Sequence, residues 1–462
     1  MENSFTNTIA AVSTPRGTGG VALIRISGEE AAAVAGRCFS PKCGKNVGEL
    51  RARTAYFGDI LYQGEVIDDG MLTVFPAPAS YTGETVAEIC CHGGMLVTAR
   101  VLEAVFAAGA VPAGPGEFTR RAFVNGKLSL TRAEAVAEIL DAKSDAQLKI
   151  AAANRRGALA DKISAASAAL TSLCAAVYAR IDYPDEDLGE ISDEEFRTRA
   201  LAVLENLKRL AATYRAGSAI FAGVRTVICG APNSGKSSLY NLISGEDAAI
   251  VTEIAGTTRD VLERDIPLGK VLLHLCDTAG IRETEDTVEK IGVARTVEKL
   301  GAAELLFCMF DASKPFDDAD AAVCEDISAA PGVKIALLNK CDLACGDFAL
   351  PEKFAAQFHR ILSVSAKEGV GIEALRDCVE DLFIGESIGL DDGAVVTQAR
   401  SYAALCDGIR YVEDAVAAVG GYGTDLAASD LERAIAILAE LDGRSVTAEI
   451  VDEIFSHFCV GK

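Results

Sequence analysis

Apolar positions along this chain recur with two different periods, and the places where the period changes divide it. In the first hundred residues the runs are short. Residues 8–12, 20–26, 54–62, 66–75 and 85–91 read as strands, and 29–38 and 95–108 read as helices. Gln63-Gly64 sits between two of the strand-like runs and marks a hairpin. From about residue 128 the pattern lengthens into helices rich in Ala, Leu, Lys and Glu, which stop at Asp182-Tyr183-Pro184-Asp185. Ser192, with Glu195 three residues on, forms a capping box that opens the next helix. Phe196, Ala200, Leu204, Leu207 and Ala211 give that helix one apolar face.

Between about 223 and 384 the short period returns. Strand-like runs at 225–229, 271–276, 304–310, 334–338 and 361–364 alternate with helical segments, which implies a mainly parallel sheet. Helices resume at about 395–419, 425–441 and 447–458. The economical organisation is multidomain α/β plus all-α: an N-terminal α+β domain at 1–122, and a discontinuous helical domain at 123–222 and 385–462. A P-loop domain at 223–384 is inserted into the latter, whose halves bury each other's apolar faces. No internal repeat or low-complexity linker is visible.

Half of the 462 residues are hydrophobic, as in a folded protein, and the formal net charge is −23. Such acidity argues against a surface that grips nucleic acid by charge alone. It is unevenly spread: residues 1–130 hold 11 Lys/Arg against 12 Asp/Glu, leaving 33 against 55 elsewhere. An RNA contact is therefore local or shared with a basic partner. The 14 cysteines include no C-x-x-C pair and accompany only four histidines, so the ligand spacing of a zinc framework is missing. Reduced thiols serving as small core hydrophobes are the plainer reading. The N-terminus lacks a signal-peptide pattern, and no run approaches the ~20 uninterrupted apolar residues of a membrane helix, so a soluble, cytoplasmic protein with no membrane association is expected.

The chemistry concentrates in five ordered motifs. Gly230-Ala231-Pro232-Asn233-Ser234-Gly235-Lys236-Ser237, followed by Ser238, comes after a β-branched strand and opens a helix. Its backbone N–H groups would surround a β-phosphate, with Lys236 on the β- and γ-phosphates and Ser237 on Mg²⁺. Next come Thr252-Glu253-Ile254-Ala255-Gly256-Thr257-Thr258, where Thr258 is the switch threonine completing Mg²⁺ coordination, and Asp277-Thr278-Ala279-Gly280. Asn339-Lys340-Cys341-Asp342 chooses the base. A carboxylate at Asp342 accepts from guanine N1–H and its amine, whereas adenine offers an acceptor there. Ser365-Ala366-Lys367 adds a backbone contact, so GTP is the expected substrate. Ile281 occupies the place where small switches put a water-orienting glutamine, and isoleucine can neither orient nor deprotonate water. A monovalent cation held by Asn233 and the carbonyls of Thr252 and Ile254 would neutralise developing charge instead. Glutamates after the switch (Glu283, Glu285, Glu289) are placed to align water, although such a charge run is also the ordinary pattern of a solvated face.

Taken together, GAPNSGKSS, AAIVTEIAGTTRDV, DTAGIRE and the terminal Phe458-Cys459-Val460-Gly461-Lys462 resemble the bacterial tRNA-modification GTPase family called MnmE or TrmE. So do Gly20–Gly28, Ser80-Tyr81-Thr82-Gly83-Glu84, His92-Gly93-Gly94, Pro115-Gly116-Glu117-Phe118-Thr119 and Arg121–Lys127. The resemblance implies a homodimer held by a folate-binding N-terminal domain. A 5-formyl- or methylene-tetrahydrofolate would contact Arg25, Glu88, Lys127 and Lys462. It implies K⁺ at Asn233, Thr252, Ile254 and Thr257, Mg²⁺ at Ser237 and Thr258, Glu289 as the water-orienting residue, and Arg282, which follows the switch as in relatives, as a second catalytic residue. It also implies addition of an aminomethyl-type group to carbon five of the wobble uridine of certain tRNAs, with a flavin-dependent partner, MnmG or GidA, in a heterotetramer or larger assembly. Cys459 matches the family's C-terminal cysteine, a candidate reactive thiol, with a buried structural thiol as the alternative. The rival readings are a ribosome-assembly GTPase and a nucleotide-gated scaffold without catalysis.

Overall fold

The computed structural model describes residues 7–182, 191–245, 263–276, 300–343, 348–385, 393–419, 424–445 and 447–461. The chain falls into two compact units. One combines Met1–Ala137, Asn154–Glu190 and Thr424–Lys462; the other combines Glu138–Ala153 and Ile191–Gly423.

The first unit is built on a seven-stranded sheet. Its strands are β1 (Ile9–Val12), β2 (Val21–Ser27), β3 (Phe39–Pro41), β4 (Tyr56–Tyr62), β5 (Glu65–Phe75), β6 (Val86–His92) and β7 (Val111–Pro112), in the order β3-β4-β5-β6-β2-β1-β7. All pairs are antiparallel except β1 with β7. The expected hairpin joins β4 and β5, and Gln63 and Gly64 both take positive φ, +53° and +86°, as a two-residue turn matched to strand twist requires. Helices Ala31–Cys38 and Met95–Ala107 cover one face, burying Val34, Val101 and Val105 against Ile24, Ile26, Ile60 and Ile89. β3, β7 and the helix Glu117–Val124 were not anticipated. The two strands are too short to show alternation, and the helix is broken in pattern by Thr119, Arg120 and Arg121.

The long helical stretch is three helices, Leu130–Asp141, Asp145–Arg156 and Ala158–Asp182. Gly157, at φ +116°, separates the last two, and a side chain there would collide with the Arg132 guanidinium. Ala158–Ala179 is, by length and composition, apolar enough to cross a membrane. Here it packs on Thr424–Asp442, burying Ile163, Leu170, Leu173 and Val177 with Leu431, Ala434 and Leu438.

The second unit carries a six-stranded sheet of β8 (Val224–Gly230), β9 (Glu263–Leu268), β10 (Val271–Cys276), β11 (Leu305–Asp311), β12 (Val333–Asn339) and β13 (Arg360–Ser363), in the order β13-β12-β11-β8-β10-β9. It is parallel apart from β9, an antiparallel edge strand. β9 escaped the sequence reading because Arg264, Asp265 and Pro267 interrupt its apolar pattern. β11 is buried along its whole length, the mark of a central strand covered on both faces. Ser192 caps the helix Asp193–Ala212 by accepting from the Glu195 N–H at 3.1 Å. The apolar face from Phe196 to Ala211 is buried, and this helix packs against Ala399–Ala418. In each unit, then, a helix from before the six-stranded sheet pairs with one from after it.

Candidate nucleotide site and N-terminal site

The phosphate loop runs from the C-terminal end of β8 to the helix Lys236–Gly245, so its amides and the helix N-terminus face the same space. Three of its residues require backbone that most side chains avoid: Gly230 at φ +152°, Asn233 at +62° and Gly235 at +103°. Gly235 is fixed by packing as well, because a Cβ there would run into the Asn339 amide. The Lys236 ammonium lies across the loop, donating to the carbonyls of Gly230 and Ala231 at 2.9 Å each. Burial pulls its pKa below the usual lysine range. Asn233, Ser237 and Ser238 are exposed at the mouth, while Ser234 is buried with its Oγ lacking a hydrogen-bond partner.

Asn339 joins the phosphate loop to the base motifs. Its Nδ2 donates to the Ser234 carbonyl at 2.8 Å and its Oδ1 accepts from the Ala366 N–H at 2.9 Å, with the residue only 3% exposed. One buried amide therefore holds three motifs in register. Lys340, at φ +61°, pairs with Asp311 at 2.6 Å. Asp311 was missed in the sequence. Burial pushes its carboxyl up, but Lys340 and Ser313 outweigh that and hold it below the usual range. A carboxylate at the end of a buried apolar strand, followed by Ser313, was the signal. Asp342 and Lys367 are exposed and Ser365 and Ala366 buried, so the Asp342 carboxylate stands open to a ligand. A nucleotide fits this donor set: backbone amides and an ammonium at one end, a free carboxylate at the other. Thr252, Glu253, Ile254, Ala255, Gly256, Thr257, Thr258, Asp277, Thr278, Ala279, Gly280, Arg282 and Glu289 lie outside the described residues, as does Lys462.

In the first unit, register places Arg25 on β2 directly opposite Glu88 on β6. Arg25 donates from Nε and Nη2 to Glu88 Oε1, both at 2.9 Å. Its guanidinium also faces the rings of Tyr81 and Phe118, 5.3 and 5.7 Å from their centroids. Arg25 is thus paired with Glu88 and packed against two aromatic faces, so both of these candidate residues stand in one row of the sheet. Lys127 Nζ donates to the Pro78 carbonyl at 3.1 Å, which leads into the Ser80–Glu84 loop. Arg121, 1% exposed, holds that loop through Glu84 at 3.1 Å and the following turn through Glu117 at 2.8 Å.

The C-terminal peptide arrives at the same place. Val460 bridges Pro115, the Gly116 N–H donates to the Cys459 carbonyl at 3.3 Å, and Ser13 Oγ donates to the Gly461 carbonyl at 2.9 Å. Gly461 takes φ +99°, and a Cβ there would press into the Val12 carbonyl. Cys459 is exposed, which removes the buried structural thiol as its explanation.

Residues 130–459 match the MnmE helical domain and residues 8–127 match the GTP-binding protein TrmE N-terminus. The chain belongs to the MnmE (TrmE) family. A tRNA modification GTPase MnmE from Moorella thermoacetica is 40% identical over 464 residues, 99% of each chain. Proteins of the same name from Clostridioides difficile and Geobacter sulfurreducens are 37% and 38% identical, again over 99% of both chains. Among solved structures, the G domain of the T. maritima FeoB iron transporter aligns with 34% of this chain and 97% of its own, at 20% identity and a TM-score of 0.25, a level that carries no argument. The family supplies what the strand pattern could not: a meaning for the N-terminal unit.

Proposed function

We propose that this protein is a GTP hydrolase of tRNA modification that uses Mg²⁺ and K⁺ and works on the wobble uridine with a flavin-dependent partner. The observation that carries the reading is the Asn339 clamp, which draws the phosphate loop and both guanine motifs together in a chain alike from end to end to tRNA modification GTPases. Bound metal would supply charge neutralisation at the phosphates. Ser237 would hold Mg²⁺ with Thr258, and Asn233 would hold K⁺ with Thr252, Ile254 and Thr257. Lys236 orients the terminal phosphates, Asp342 selects guanine, and Glu289 aligns water in place of the glutamine that Ile281 replaces, with Arg282 as a second catalytic residue. GTP hydrolysis much faster in K⁺ than in equimolar Na⁺ is the expected result; equal rates would remove the cation from the mechanism.

The N-terminal unit at 1–122 is read as the tetrahydrofolate-binding and dimerisation domain, and 223–384 as a GTPase domain inserted between the helical halves 123–222 and 385–462. Arg25 presents Glu88 to the pterin, whose donors suit the carboxylate, while Lys127 and Lys462 remain for the glutamyl carboxylates. Cys459, exposed beside this loop system, is read as a candidate reactive thiol toward the one-carbon unit. The amine comes from glycine or ammonium. Mass spectrometry of tRNA nucleosides from cells lacking the gene tests the whole reading: loss of the aminomethyl-type wobble modification is expected, and an unchanged profile with no redundant enzyme would sink it. Cytoplasmic location follows from that substrate.

A further inference from the structure

The β9–β10 hairpin occupies the chain between residues 252–258 and 277–280, the two segments expected to sense the γ-phosphate. His274 and Asp265 are register partners across it, and His274 Nδ1 meets the Asp265 carboxylate. The other ring nitrogen, Nε2, meets the carbonyl of Ala222, which follows the helix Tyr214–Phe221. Gly223 at φ +79° is what lets the ring in, since a side chain there would strike it. The second Asp265 oxygen accepts from Lys143 Nζ at 2.6 Å. Lys143 lies in the turn between Leu130–Asp141 and Asp145–Arg156. Gln147 pins that turn, accepting from the Ser144 N–H at 3.1 Å and donating to the Ile220 carbonyl at 2.7 Å. The contacts close into a ring through two helical segments and the hairpin.

Both neighbours of the His274 ring are pure acceptors. The ring is thus held at both nitrogens, one on the hairpin partner and one on the end of the preceding helix. Burial pushes Asp265 up, but hydrogen bonds from Lys143 and His274 outweigh it and hold the carboxyl below its usual range. Lys143 and the His274 ring thus share one carboxylate. Lys143, Asp265 and His274 are nevertheless 46%, 35% and 31% exposed. Pairs that wet contribute little to folding, so stability gives a weak account of so specific a ring.

We propose that Lys143, Asp265 and His274 form a relay that couples the nucleotide switch to the flanking helical segments. It acts through β10, which enters the Asp277 motif three residues after His274. They are positioning residues, and the proposal rests on the GTP-hydrolysis reading. A closed ring of polar contacts is a physical means of coupling, because a displaced hairpin must break Lys143–Asp265 or drag the turn with it.

The test is steady-state GTP hydrolysis by the full-length protein in K⁺ and Mg²⁺, with kcat and KM separated, for Lys143→Met, Lys143→Arg and His274→Gln. Lys143→Met and His274→Gln are expected to lower kcat about 5-fold or more with KM for GTP within about 2-fold. Lys143→Arg is expected to restore at least about half of the wild-type kcat, and the Lys143→Met/His274→Gln double variant to fall no lower than the weaker single variant. An unchanged kcat, or a kcat loss matched by a rise in KM, overturns the relay. Should His274→Gln fail to fold, the exposed Lys143 pair decides alone. Wild-type protein without GTP hydrolysis removes the parent reading; active wild type matched by Lys143→Met removes only the relay.

Discussion

The two sheets of this protein prepare their sites by opposite means. In the parallel sheet the site stands on loops at the C-terminal ends of β8, β11 and β12, and its recognising groups are largely backbone amides. In the antiparallel sheet the candidate site lies on the strands themselves, where Arg25 and Glu88 meet because of register and neutralise each other. A loop site needs contiguous residues with particular backbone freedom, so it survives as a motif in the chain. A strand-face site needs only that distant residues share a row, and it leaves no local trace.

The comparison predicts unequal sensitivity to substitution. The largest effect belongs to Lys236→Met. It removes an ammonium already placed at the loop carbonyls and should slow GTP hydrolysis by roughly 100-fold or more in single-turnover assays while leaving the fold intact. Asp342→Asn comes next. Loss of charged hydrogen bonds worth about 2 to 3 kcal/mol should weaken GTP binding roughly 30- to 150-fold and strengthen binding of xanthosine triphosphate, whose carbonyl opposes the wild-type carboxylate but accepts from the new amide. Calorimetric titration with both nucleotides checks this, and undiminished GTP affinity would contradict the assignment of the base motif.

On the antiparallel side, Gly461→Ala should act at long range. A Cβ at φ +99° against the Val12 carbonyl would cost about 1 to 2 kcal/mol and lift the terminal peptide from Ser13. Binding of 5-formyl-tetrahydrofolate should fall about 10-fold, with basal GTP hydrolysis unaltered. Equal folate affinity in variant and wild type would separate the peptide from that site.

The smallest effect concerns Glu138, 8% exposed, which accepts from Thr397 Oγ1 and from Gln398 Nε2 at 2.9 Å. Burial raises its pKa despite those bonds. The folded state then holds its proton more tightly than the unfolded chain, so stability is lost as pH climbs from the unfolded value through the folded one. Glu138→Gln keeps an acceptor without the charge. It should match or exceed wild type in thermal midpoint at pH 7, with the advantage shrinking as pH falls toward 4.5, the ordinary value for glutamate.

Legibility followed the range of the interaction. The Gln63-Gly64 hairpin, the Ser192 cap and the phosphate loop that opens the helix Lys236–Gly245 involve neighbours in sequence, and the pattern of residues sufficed to place them. Asp311 went unread because its partner Lys340 is 29 residues away, although both flank recognised segments. β9 went unread because an edge strand tolerates Pro267 and charged residues that a central strand would exclude. The pairing of Arg25 with Glu88 went unread because the two are 63 residues apart and nothing local announces their register.

The amino-acid order alone determined the element types, the phosphate loop and the choice of guanine, since these depend on backbone freedom and chemistry within a few residues. Only the tertiary structure decided that Arg25 is neutralised, that one buried amide at Asn339 joins three motifs, and that the last residues return to Ser13. The physical reason is that such contacts owe nothing to local propensity: they exist because sheet register and packing bring together groups that the chain keeps far apart, from 27 positions between Asn339 and Ala366 to 448 between Ser13 and Gly461.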